Sequence, residues 1–213
     1  MAVQTEHVYE YIKARILNGT YLPSQRLLES RLAEETGASR HTIKKALLKL
    51  SQDNLIKLED NKGAVIRSFT LEEVLNCLQI RRVLEGLICA LAAKNISDGE
   101  LDELEKILAN MKESMSQDRH EDYSKLNRAF HNIIYAASKN QNAVDIVQSI
   151  KTQMIRMQFR TSLIPGRSQL SYEEHCKIFA ALKARYEDLA EEAAKNHICN
   201  VMRTIEDNYR LVI

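Results

Sequence analysis

The stretch Thr36–Leu50, TGASRHTIKKALLKL, decides the fold. Gly37 breaks an apolar-periodic segment, and Ser39 supplies a hydroxyl able to cap a new helix. Beyond it Ile43, Ala46, Leu47 and Leu50 recur at i, i+3, i+4 and i+7, which is one face of a helix. The opposite face carries Arg40, Lys44, Lys45 and Lys49, and no acidic residue interrupts them. Arg40 and Lys44 stand one turn apart and project together. A short helix with an apolar back, a basic front and a glycine turn before it suits the major groove of DNA. A solvated charged face would give the same pattern in a lone helix, so the neighbouring segments decide between the two.

Working outward, Glu6–Asn18 predicts a first helix with Val8, Ile12, Ile16 and Leu17 on one side, stopped by Asn18-Gly19. Tyr21, Leu22 and Pro23 form an extended connector. Leu28–Thr36 predicts a short second helix with Leu28 and Leu32 inward, ending at Gly37. The basic helix ends near Asp53. Two strand-like runs follow, Leu55–Glu59 and Ala64–Ser68, joined by the turn Asp60-Asn61-Lys62-Gly63. Three helices and a two-stranded ribbon, in that order, are the layout of a winged helix-turn-helix. The order is much more specific than any one part.

With those residues in place, Glu6–Arg67 resembles the DNA-binding domain of GntR-family transcriptional regulators. The likeness is carried by Gly19 and Pro23 in NGTYLPSQRL, by LLESRLAEETGASRHTIKKALLKL and by the wing NKGAV. Three positions depart from the family pattern. Ser24 stands where a glycine is usual, Ser30 (with Arg31 beside it) where an arginine is frequent, and Lys44 where an arginine is usual. The resemblance implies that Arg40 and Lys44 meet base edges, Ser39 and Thr42 meet phosphates, and Gly63 belongs to the wing tip. Arg31, Lys45 and Lys49 complete the expected basic contact set. Lysine at position 44 still reaches guanine but lacks the two-pronged guanidinium, which softens discrimination there.

From Leu71 onward the pattern predicts only amphipathic helices, near 71–93, 98–117, 119–138, 141–160, 168–185 and 187–211. Six such helices with short links make an antiparallel bundle, an architecture that can hold a ligand at its centre. The expected fold is therefore mainly α: a winged helix-turn-helix domain over 1–68 and an all-helical domain over 69–213.

The histidines of the bundle have suggestive spacing. Asn127 and His131 lie four apart on one helix face. His175 and His197 are each 11 residues from Tyr186, near the turn between the last two helices, so a hairpin sets them at one height. Three imidazoles and an amide oxygen meeting inside a bundle can hold a divalent metal. Residues 71–211 also resemble the FCD domain, the all-helical effector-binding domain of the FadR-like GntR branch. The stretches IRRVLEGLICALAA, LNRAFHNIIYAASKN, EEHCKIFAALKA and AAKNHI carry that likeness.

Many FCD domains hold a metal through Asp-x3-His and two later histidines. The resemblance places those ligands at Asn127, His131, His175 and His197, with Zn, Mn or Ni as candidate ions. Asn127 replaces a carboxylate by a neutral oxygen, which weakens binding of hard cations. The resemblance also implies that Arg81 helps hold an effector's acid group, with Glu85 one turn on. Arg156 and Arg160 are further inward candidates, and a small carboxylate is the implied effector.

Composition is consistent with this reading. Two prolines and six glycines in 213 residues suit a helical chain, and 45% hydrophobic content suffices for packed cores. The net charge of +1 hides an asymmetry: residues 1–68 hold 11 Lys/Arg against 8 Asp/Glu, and the remainder 19 against 21. The first ten residues do not read as a signal peptide, no apolar run is long enough to span a membrane, and the four cysteines show no CxxC pair. The expectation is a cytoplasmic, ligand-controlled repressor that binds a short palindrome as a homodimer. The alternative is a metal-dependent enzyme of small organic acids fused to a DNA-binding domain. It is disfavoured because Glu174 is the only obvious base and cannot face the same way as its neighbour His175 on a helix.

Overall fold

The computed structural model describes residues 2–59, 63–154, 161 and 163–212. The chain folds as two units, one built from residues up to Thr70 and the other from residues 71–150 and the final helices. The fold is mainly α, as expected.

In the first unit, α1 (Ala2–Leu17), β1 (Arg26–Leu27), α2 (Glu29–Thr36), α3 (Arg40–Gln52), β2 (Ile56–Glu59) and β3 (Gly63–Ile66) follow in order. Helix α1 begins four residues before the expected start, since nothing in Ala2–Thr5 breaks a helix. Gly37 closes α2 in the left-handed region (φ 66°), and its N–H bonds the Ala33 carbonyl at 2.9 Å. Two residues later Ser39 starts α3, its hydroxyl accepting from the Thr42 N–H at 3.2 Å. Ile43, Ala46, Leu47 and Leu50 of α3 are buried with Val8, Ile12 and Ile16 of α1 and Leu32 of α2.

The ribbon proves to be a three-stranded antiparallel sheet in the order β1-β3-β2. Ile56 faces Ile66 and Glu59 faces Gly63, while Arg26 faces Val65 and Leu27 faces Ala64. The connector thus contributes a two-residue strand that has no periodicity to reveal it. That strand corrects a second expectation. Alternation turns Leu27 into the core and leaves Leu28 52% exposed, so Leu28 does not point inward. Ser24, where the family pattern has glycine, sits at φ 63° and donates its N–H to the Ile66 carbonyl at 2.9 Å.

The second unit comprises α4 (Leu71–Asn95), α5 (Asp98–Ser116), α6 (His120–Ser138), α7 (Gln141–Gln153), α8 (Arg167–Lys183) and α9 (Glu187–Val212). Helix α4 packs on α9 and α6, α5 on α6 and α8, and α8 on α9. Gly86 explains how closely α4 approaches α9: a Cβ there would meet the Lys195 side chain at 2.9 Å. Ser97 and Glu100 form a capping box that starts α5. The core joins Ile88 and Ala92 of α4, Leu104 and Met111 of α5, Phe130 and Ile134 of α6, Val147 of α7, Ile178 of α8 and Ala194 of α9. Expected bounds agree within about two residues, except that the fourth bundle helix ends at Gln153 with Met154 in a turn, short of the expected 160, and 155–160 lie outside the described residues.

Candidate functional site

The first unit presents one outward face of α3. Arg40, Lys44 and Lys45 are exposed on it, joined by His41 and Leu48, which the basic pattern alone does not single out. His41, Lys44, Lys45 and Leu48 fall at i, i+3, i+4 and i+7, one outward stripe. The other expected contact residues are already engaged. Ser39 Oγ serves the cap and lies 2.9 Å from Thr42 Oγ1, and Thr42 is buried. Lys49 Nζ bonds Glu6 at 2.6 Å and lies over the Tyr9 ring. Arg31 is exposed and bonds Glu35 at 2.8 Å.

Gly63 opens β3 at φ 85°, and a Cβ there would come within 3.1 Å of the Leu27 carbonyl oxygen. Its lack of a side chain is therefore required by the sheet itself. Residues 60–62, the rest of the expected wing tip, lie outside the described residues.

In the second unit His131 on α6, His175 on α8 and His197 on α9 converge, with ligand nitrogens all within 4.8 Å of one another. Ring centroids are 4.9 to 5.6 Å apart, and Phe130 packs edge-on against His175. Hydrogen bonds fix which nitrogen of two rings faces inward. His175 Nδ1 bonds the Ser171 carbonyl, which can only accept, so Nδ1 carries the proton and Nε2 a lone pair. His197 Nδ1 donates to Glu174 Oε2 at 2.6 Å, so Nε2 is the nitrogen left for a metal when the ring binds as a neutral ligand. His131 Nε2 lies 3.1 Å from His175 Nε2. Two nitrogens bound to one tetrahedral zinc at about 2.0–2.1 Å stand ~3.3 Å apart, so the His131–His175 pair already stands near ligating separation. A carboxylate behind a ligating histidine is a common way to fix its tautomer.

Two buried ion pairs flank the triad. Glu174 accepts from Arg167 at 2.9 and 3.3 Å and from Asn200 at 2.9 Å, besides His197. Burial alone would raise the Glu174 carboxyl, but the bond and charge of His197 and the Arg167 guanidinium overcome it and hold it at about 2. On the other side, Arg81 bonds Glu85 Oε1 through Nε at 2.8 Å and Nη2 at 2.6 Å. Glu85 Oε2 accepts from the Tyr135 hydroxyl at 3.2 Å and lies 3.9 Å from His131 Nδ1. Burial, with His197 second, pushes His175 down to about 3, which keeps it a neutral ligand.

The sequence-predicted residues divide accordingly. His131, His175 and His197 meet; Arg81 and Glu85 are buried and bonded to each other. Asn127 is half-buried on the His131 face of α6. Arg156 and Arg160 lie outside the described residues. Arg167, Ser171 and Asn200 were not expected, and Glu174 appears in a new role. It does face away from His175, and for that reason reaches His197 from behind.

Residues 76–200 match the FCD domain family, and residues 4–66 match the bacterial regulatory proteins of the gntR family. The chain belongs to the GntR family. This GntR protein is 29% identical over 191 residues to the HTH-type transcriptional regulator YdhC of Bacillus subtilis, covering 89% of this chain and 84% of the relative. It is 22% identical over 200 residues to the HTH-type transcriptional repressor RspR of Escherichia coli, covering 94% and 88%. Among solved structures, E. coli McbR superposes with a TM-score of 0.79 at 22% identity over 97% of this chain and 98% of that one. A GntR regulator of Rhodococcus sp. RHA1 gives 0.74 at 20% identity over 98% and 100%. This GntR protein is a transcriptional regulator with an FCD effector-binding domain, and the enzyme alternative falls away because its family and relatives are regulators. Among the described residues, no helix is long and apolar enough to cross a membrane.

Proposed function

We propose that this regulator is a repressor that binds a short palindromic operator as a homodimer, and that a small carboxylate bound in the helical domain changes its DNA affinity. We take 1–68 as the DNA-binding domain and 69–213 as the effector-binding and dimerisation domain, acting in the cytoplasm on bacterial DNA. One observation carries the reading. The chain that exposes Arg40, Lys44 and Lys45 on one capped helix also buries three histidines facing a single point in its second unit. Arg40 and Lys44 read base edges, Lys45 and Arg31 meet phosphates, and Ser39 and Thr42 fix the start of the reading helix. Lys49, held by Glu6, contributes to phosphate binding only by exchanging that partner. Gly63 shapes the wing, and two wings are needed because one small domain covers too little groove to select a site.

In the helical domain His131, His175 and His197 would hold a divalent ion, with Asn127 as a weaker oxygen ligand. A site rich in nitrogen favours Zn or Ni over Mn. Such an ion supplies a positive centre for an acid group, and Arg81 with Glu85 borders it. Arg156 and Arg160 are proposed as further effector contacts. Relief of repression follows if the effector binds the DNA-incompetent arrangement more tightly than the competent one.

Selection from a random DNA library with the full chain, followed by fluorescence anisotropy on the selected site, tests the DNA half. Arg40→Ala is expected to cost about 1–3 kcal/mol on that site and to flatten sequence preference. An unchanged affinity would overturn the assignment.

A further inference from the structure

The charges around the histidine centre narrow the class of acid it accepts, an inference that rests on the metal reading above. The three candidate ligands are imidazoles, which bind a metal as neutral rings, and among the described residues no carboxylate joins them in the ligand cluster. The two buried carboxylates nearby are already neutralised: Glu174 by Arg167 at 2.9 Å and Glu85 by Arg81 at 2.6 Å. The described surroundings of the triad therefore sum to zero formal charge. In the sequence, no Asp or Glu occurs between Asp145 and Glu173. That segment carries only cations, Arg156 and Arg160 included.

We infer that the ion-loaded centre of this chain selects a dianionic acid, a dicarboxylate or hydroxydicarboxylate, over a monocarboxylate of similar size. A divalent ion placed among neutral ligands leaves two positive charges in a buried setting, where uncompensated charge is strongly unfavourable. A carboxylate at position 127 would cancel one of them and leave one for the effector. Asn127 cancels none, so the ligand must bring both. At an effective dielectric constant near 20, one further charge roughly 6–12 Å away changes affinity by on the order of 10- to 100-fold, and a closer one by more.

Isothermal titration of zinc-loaded full-length protein tests this, with zinc content fixed beforehand by elemental analysis. The probes are malonate, succinate and malate against acetate, butyrate and lactate. The expected result is that the best dicarboxylate binds at least tenfold more tightly than the best monocarboxylate, and that the gap closes when zinc is removed. Asn127→Asp should retain zinc more tightly and reduce the ratio by about tenfold. The wild-type comparison with and without zinc stands by itself if that variant does not fold. Zinc bound with equal affinity for the two classes overturns the inference and leaves the metal reading intact. Failure to retain zinc overturns both.

Discussion

Replacing Glu174 by alanine removes the acceptor of three side chains at once: Arg167 at 2.9 and 3.3 Å, Asn200 at 2.9 Å and His197 at 2.6 Å. Arg167 and Glu174 expose only 5% and 8% of their side chains, so the guanidinium would be left buried without a counter-charge. Breaking such a pair from one side costs about 3–5 kcal/mol. For a chain of this size each kcal/mol corresponds to roughly 2–4 °C, so the transition of the helical unit should fall by roughly 6–20 °C. Arg167→Met alone should cost less, because His197 remains to bond the carboxylate. Joining Arg167→Met with Glu174→Ala removes both charges, and the double variant should be about 2–3 kcal/mol more stable than the single costs added together. Scanning calorimetry in a chelating buffer keeps metal loss from contributing. A cost below about 1 kcal/mol for Glu174→Ala, or simple additivity, would refute the buried network.

Ser24→Gly relieves a left-handed residue (φ 63°) and should raise stability by about 1 kcal/mol; an unchanged or lower melting temperature would count against strain there. Ser97→Ala breaks the capping box of α5, in which the Ser97 N–H reaches Glu100 at 2.8 Å, and should cost about 1 kcal/mol in urea unfolding. Because the Ser97 backbone and hydroxyl hold Glu100 below its ordinary 4.5, the box stabilises above that pH and its contribution fades as pH falls further. The difference between wild type and Ser97→Ala should therefore shrink in acid. Lys45→Ala should lower the slope of log affinity against log salt by about 1, whereas Lys49→Ala, bonded to Glu6 at 2.6 Å, should change it less and cost under ~1 kcal/mol of stability. Equal slopes for the two variants would contradict the distinction.

Local rules made much of this molecule legible from its residues. Ser39 caps α3 because a hydroxyl before an apolar-periodic run satisfies a free N–H, and the structure starts the helix there. The equal spacing of His175 and His197 from Tyr186 translated into adjacent rings because α8 and α9 are straight enough to keep register across one turn. What escaped reading depends on partners distant in sequence. Strand β1 is two residues long and exists only because β3 pairs with it, and Leu28 points outward for the same reason. Arg167 looks like a surface residue beside Gly166 until Glu174, seven positions on, is seen to accept from it. Lys49 carries the same charge and helical face as Lys45, yet only α1 brings Glu6 to it.

The central claim is that the histidine centre controls the basic helix. Operator affinity of zinc-loaded full-length protein, measured by anisotropy as carboxylates are added, tests it most directly in wild type and His175→Ala. At least one acid should shift wild-type affinity by fivefold or more, within the usual range of coupling between two sites. His175→Ala should bind the operator equally well without ligand and show no shift. A wild type that responds to no carboxylate, or a His175→Ala variant that responds as wild type does, would contradict it.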